Sequence, residues 1–134
     1  MVGIVVVSHS PALAEAAVGL AQEMLRGRTV PIAVAAGTAD GSIGTDAAQV
    51  AEAIRSVASG AGVLVVMDLG SAVLSSGLAL ELLAPLEDEV VLSPGPFVEG
   101  LVAAAVTAGT GADLTRVAAE AAGGLLPKTR QLEG

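Results

Sequence analysis

The chain has 134 residues, enough for one domain spanning residues 1–134 with its own core and too few for two comfortable ones. Hydrophobic residues make up 53% of it and charged residues 15%, which excludes a disordered tail; with one Phe and neither Trp nor Tyr, the core must be aliphatic. Six basic side chains and a net charge of −8 disfavour nucleic acid, as does the lack of an aromatic platform for bases, and the absence of Cys excludes disulfides, thiolate chemistry and cysteine-ligated metals.

The first predicted element is a strand over Val2–Ser8. Its start, Met1 to Val7, has no basic n-region and too short an apolar run for a signal peptide or a membrane span. A cytoplasmic protein with no membrane partner is the expectation. His9, the only histidine, follows, and Ser10-Pro11 reads as a helix start, because proline is favoured at the first helical turn and a preceding serine caps free amides. The helix Pro11–Arg26 places Leu13, Ala16, Ala17, Leu20 and Met24 at helical spacing, which predicts its buried face. A second strand, Val30–Ala35, leads into the longest loop, Gly37–Thr45, rich in Gly, Ser and Thr. The next helix runs from about Asp46 to Ser59, with Thr45 or Asp46 as cap and Gln49 in a capping-box-like position.

A third strand, Gly62–Met67, ends at Asp68-Leu69-Gly70-Ser71, from which a helix continues to about Leu83 and is stopped by Pro85. The fourth strand, Glu89–Ser93, is followed by Pro94-Gly95-Pro96 and a helix over about Phe97–Ala108. A last helix, Asp113–Gly123, begins with an acidic cap and leaves a short polar tail with Lys128 and Arg130. Strands alternating with helices predict an α/β fold: an open, mainly parallel four-stranded sheet of order 2-1-3-4, helices on both faces, and room for an added edge strand. Right-handed crossovers gather the four strand-end loops on one edge, and that order sets the loops after strands 1 and 3 on either side of the switch point where open sheets form a crevice.

His9 and Asp68 then face each other. A neutral imidazole attacks phosphorus through one ring nitrogen while the other keeps its proton and needs an acceptor to fix the tautomer. Asp68 is placed to be that acceptor, and would stabilise the charged ring after transfer. Both residues also have an ordinary reading, His9 as a surface or capping histidine and Asp68 as a helix N-cap. Gly70 and Ser71 open a helix whose free amides and hydroxyl suit phosphoryl oxygens, although Ser71 equally reads as a cap. Ser10 and Thr38 are further hydroxyls at this edge, with capping and turn formation the simpler account of each. No acidic cluster large enough for a metal site is visible, and no cofactor is implied.

Other motifs fail. The glycines do not make G-x-G-x-x-G after the first strand, and neither G-x-x-x-x-G-K-[ST] nor G-x-S-x-G is present. Asp68 at a strand end suggests the phosphoacceptor of a receiver-like signalling domain, but the acidic pair that reading needs after the first strand is replaced by Ser8-His9-Ser10.

An ordered set of segments resembles a known family: Ile4–Ser10, Ala35-Ala36-Gly37-Thr38 with Ile43-Gly44-Thr45-Asp46, Val66–Ala72, Leu80–Pro85 and Pro96–Gly100. The resemblance is to the mannose-class enzyme IIA domains of the bacterial phosphoenolpyruvate-dependent phosphotransferase system. Within that class it is closer to the phosphoryl-transfer subunits of dihydroxyacetone kinase, because the longer Gly-Gly-Ser-Pro element usual in sugar-transporter relatives is replaced by Gly70-Ser71-Ala72. It implies a phosphotransferase subunit in which His9 accepts a phosphoryl group from a histidine-containing phosphocarrier protein, on the ring nitrogen distal to the backbone, with Asp68 holding the other. The group then passes to ADP bound on the kinase's nucleotide-binding subunit. It also implies a homodimer; some members of the branch carry fused phosphocarrier domains, and because this sequence stops soon after the IIA-like unit the expectation is a donor that is a separate protein, with a IIA component of a mannose-class sugar transporter as the alternative.

Overall fold

The computed structural model describes residues 1–134. Its elements run β1 (Gly3–Ser8), α1 (Pro11–Met24), β2 (Ile32–Ala36), α2 (Ala47–Val57), β3 (Val63–Met67), α3 (Gly70–Leu82), β4 (Val90–Leu92), α4 (Phe97–Gly109), α5 (Leu114–Ala122) and α6 (Leu126–Glu133). The four strands form one parallel sheet, as the alternating pattern predicts, in the expected order β2-β1-β3-β4 and with no fifth strand at either edge.

The two central strands explain the aliphatic bias. Every residue of β1 and of β3 is buried, because helices cover both faces of the sheet and successive side chains point to opposite sides. Val2, Ile4, Val6, Leu64 and Val66 pack against α1, α4 and α5, while Val5, Val7, Val63, Val65 and Met67 pack against α2 and α3. β-branched side chains suit such a two-sided surface.

Helix starts follow local capping chemistry. The Ser10 hydroxyl accepts from the Leu13 amide at 3.2 Å with Pro11 in the first turn, Asp46 rather than Thr45 caps α2 by accepting from the Ala48 amide at 2.9 Å, and Asp113 caps α5 through the Arg116 amide at 3.0 Å.

Two expectations change. The buried face of α1 is the alanine row Ala14, Ala17 and Ala21, extended by Leu25, whereas Leu13, Leu20 and Met24 are each between 43% and 51% exposed. Small residues let this helix lie close to β1 and to Ala104, Ala105 and Ala108 of α4, a packing in which helix–helix distance decides which side of the cylinder faces inward. The polar tail is also helical: α6 has Pro127 in its first turn and no buried residue, and an ion pair from Lys128 to Glu99 ties it to α4.

Candidate active site

The register of the sheet sets up the site. β1 and β3 pair in parallel with Val7 opposite Met67, and the Asp68 amide donates to the Val7 carbonyl at 3.1 Å, so the residues just past both strand ends meet: Ser8-His9 on one, Asp68 on the other.

Four donors converge on the Asp68 carboxylate. Oδ1 receives the Leu69 amide at 2.7 Å and lies 2.9 Å from His9 Nδ1, while Oδ2 receives the His9 amide at 2.9 Å and the Ser8 hydroxyl at 3.0 Å. Partial burial works to raise the carboxyl pKa. The hydrogen bonds from the His9 amide, the His9 ring, the Leu69 amide and the Ser8 hydroxyl outweigh it, and Asp68 titrates below the usual carboxylate range. A carboxylate that cannot donate fixes the proton of the facing ring on Nδ1. The opposite nitrogen, Nε2, then carries the lone pair, and it points at the Ser71 hydroxyl. The Asp68 side chain is 6% exposed and that of His9 18%, so the orienting group is enclosed and an edge of the ring is open to an incoming group.

Asp68 is not the cap of α3. Leu69 holds the N-cap position with no side-chain hydrogen bond, and Gly70 and Ser71 form the first turn, where amides have no intrahelical acceptor. Ser71 is likewise no cap; its hydroxyl is turned toward His9. An added Cβ at Gly70 would meet nothing within 4 Å, so the backbone there is open to close approach by a ligand. With Nε2, the Ser71 hydroxyl and a helix amino terminus at one point, the arrangement suits an anionic group held on the ring.

The other two predicted hydroxyls stand apart. Ser10 uses its oxygen to cap α1. Thr38 donates to Asp40 Oδ1 at 2.5 Å, and Asp40 also accepts from the Ser42 amide at 3.0 Å; these bonds, Thr38 first, lower the Asp40 pKa to about 2. The 37–45 loop is therefore folded on itself. It reaches the site through its backbone, the Gly37 amide donating to the Ser8 carbonyl at 3.1 Å and the Gly44 amide to the His9 carbonyl at 3.0 Å, and through Thr45 and Ser75, whose hydroxyls lie 2.5 Å apart.

Ser8 is the contact that sequence reasoning did not single out. Its signal was a hydroxyl closing an otherwise aliphatic strand, at a position that is fully buried. Asp68, with both oxygens engaged by donors, offers neither as a nucleophile, which weighs against the receiver-like reading.

The chain is a parallel α/β domain with an aspartate-held histidine at its switch point, and comparison with known proteins gives the family. The family model described as PTS system fructose IIA component, EIIA-man, matches residues 3–118, and the chain belongs to that family. It is 50% identical over 135 aligned positions to the PEP-dependent dihydroxyacetone kinase, phosphoryl donor subunit DhaM, of Escherichia coli strain K12, covering 98% of this chain and 29% of that protein. A Listeria innocua protein, PEP-dependent dihydroxyacetone kinase 2, phosphoryl donor subunit DhaM, is 39% identical over 107 positions, covering 79% of this chain and 85% of that one. The crystal structure of an unknown-function protein, EF1359, superposes with a TM-score of 0.80 at 36% identity, covering 90% of this chain and 92% of that one. The chain thus spans under a third of the length of the Escherichia coli relative and most of the Listeria one.

Proposed function

We propose that this chain is the phosphoryl donor subunit of a phosphoenolpyruvate-dependent dihydroxyacetone kinase, with His9 as the phosphoryl acceptor. The observation that carries the reading is the His9–Asp68 pair at 2.9 Å, which leaves Nε2 as the free ring nitrogen beside Ser71 and the first turn of α3. The names of the relatives favour the kinase branch over a sugar transporter.

In this reading the His9 Nε2 lone pair attacks the phosphorus carried by a histidine of the phosphocarrier protein. The donor's P–N bond breaks as a P–N bond forms at Nε2, and the Nδ1 proton stays in place, held by Asp68 against the positive charge that the ring acquires. Ser71 and the amides of Gly70 and Ser71 bind the phosphoryl oxygens; Ser10 and Thr38, engaged in their own segments, contribute at most to the rim. A terminal phosphate oxygen of ADP on the kinase's nucleotide-binding subunit then attacks, the P–N bond breaks, and the ring returns as its neutral Nδ1–H form. These steps need no cofactor on this chain, and we place them in the cytoplasm, where the phosphocarrier and the kinase meet; no helix is long and apolar enough to cross a membrane.

We also infer a homodimer. The outer face of α3 exposes Leu74 at 72%, Leu78 at 55% and Leu82 at 54%, and Glu81 is the helix's single charged residue, so this apolar face can meet a second copy with little self-repulsion in a chain of net charge −8. Light scattering across a concentration series checks the stoichiometry.

The function itself is tested by reconstitution with phosphoenolpyruvate, enzyme I, the phosphocarrier and the two other kinase subunits. Dihydroxyacetone phosphate should form only when this chain is present. Phosphorylation of the chain without onward transfer to the kinase, together with support of mannose-class sugar phosphorylation, would assign it to the transporter branch.

A further inference from the structure

We propose that Ser8 is a positioning residue, its hydroxyl fixing the Asp68 carboxylate that holds His9 in the Nδ1–H tautomer; this rests on the reading of His9 as phosphoryl acceptor. Ser8 is fully buried at the end of β1, where an unpaired hydroxyl would be costly. Three polar atoms surround its oxygen: the Ser10 amide, which donates to it at 3.1 Å, Asp68 Oδ2 at 3.0 Å, and the Ser10 carbonyl at 3.1 Å.

A hydroxyl has one proton to give. The Ser10 carbonyl already accepts from the Ala14 amide at 3.1 Å as the first acceptor of α1, and a charged carboxylate is the stronger acceptor, so the proton goes to Asp68. Each carboxylate oxygen then has two donors, which sets the plane of the group as well as its place. Rotation about the aspartate Cβ–Cγ bond is otherwise soft. Removing the Ser8 hydroxyl leaves Oδ2 with the His9 amide alone and strips the Ser10 amide of its acceptor, so the link from β3 through β1 to the start of α1 is broken at one atom. Oδ1 then faces Nδ1 for less of the time, and the ring spends more time protonated on Nε2, the form that cannot attack.

The test compares wild type, Ser8→Ala and Ser8→Thr by ring nitrogen NMR shifts of the unphosphorylated chain and by rates of phosphoryl uptake from the phosphorylated carrier. Ser8→Ala should stay folded with a lowered melting temperature, since the Ser10 amide loses its acceptor, show a smaller Nδ1–H fraction, and take up phosphoryl about tenfold more slowly per folded molecule with an unchanged half-saturation for the carrier, the scale typical of partners that orient a reacting ligand. Ser8→Thr, which keeps the hydroxyl, should recover both readouts. Wild-type tautomer and rate in Ser8→Ala would overturn the proposal, and so would a folded Ser8→Thr that behaves like Ser8→Ala. Because the tautomer is read without phosphorylation, it decides the role of Ser8 even if His9 accepts no phosphoryl group, an outcome that would count against the functional reading instead.

Discussion

The four strand ends share one edge of the sheet, yet the central pair and the outer pair are built differently. After β1 and β3 the chain turns directly into helices, and Ser8, His9, Asp68, Leu69 and Ser71 bond to one another across the turn. After β2 the 37–45 loop satisfies itself through Thr38, Asp40 and Ser42. After β4 the Ser93–Pro96 turn is packed under α5: a Cβ on Gly95 would lie 2.2 Å from the Ala121 carbonyl oxygen. What sets the central pair apart is the switch point, where the helices after β1 and β3 leave to opposite faces of the sheet and the two strand ends are free to meet, whereas the outer two loops brace the frame.

The widest separation between the two pairs should come from Asp68→Asn. The amide still fits but can present its NH₂ to the ring, so uptake should fall about a hundredfold or more in a chain that stays folded, with a lowered melting temperature at neutral pH, as when other carboxylate–imidazole pairs are so altered. Transfer at the wild-type rate would reduce Asp68 to a structural hydrogen-bond acceptor. The same variant has a pH signature. A carboxyl with a depressed folded-state pKa stabilises the fold above its unfolded value of about 3.9 and loses that contribution as pH falls through the folded value, so the stability gap between wild type and Asp68→Asn should close below about pH 4. A gap that holds constant into acid contradicts the assignment of the shift.

Gly95→Ala should show the opposite division. Its methyl meets backbone, which cannot step aside cheaply, so denaturant unfolding should report a loss of about 2 kcal/mol or more while uptake per folded molecule stays normal. Thr38→Ala should do least: Asp40 loses its largest stabilising bond and its pKa rises from about 2 toward the ordinary range, detectable by carbon NMR titration, with uptake unchanged within about twofold. A large loss of transfer in Thr38→Ala would move the 37–45 loop into the reactive site.

Much of this frame was legible in the residues. Continuous runs such as Ile4–Val7 and Val63–Val66 read as strands of a two-sided sheet because both faces must be apolar, and the expected strand order, from which the meeting of His9 and Asp68 follows, is the one the sheet has. The inner face of α1 did not read correctly, since larger side chains carry the stronger hydrophobic signal and the close approach that favours Ala14, Ala17 and Ala21 belongs to the helix pair rather than to the helix. α6 was hidden by its polar composition, its tie to α4 through Glu99 and Lys128 being invisible at a separation of 29 residues. Ser8 was hidden for a related reason: of the groups around its hydroxyl, the Asp68 carboxylate is brought there by the β1–β3 register and lies 60 residues away.

The central claim is that the phosphoryl group resides on His9, and intact mass measurement tests it most directly. Wild type and His9→Ala would be incubated with phosphoenolpyruvate, enzyme I and the phosphocarrier, then weighed before and after acid and alkali treatment. Wild type should gain one phosphoryl group that acid removes and alkali spares, as a phosphoramidate does, and His9→Ala should gain none. A gain retained in His9→Ala, or one lost in alkali as an acyl phosphate on Asp68 would be, contradicts the account.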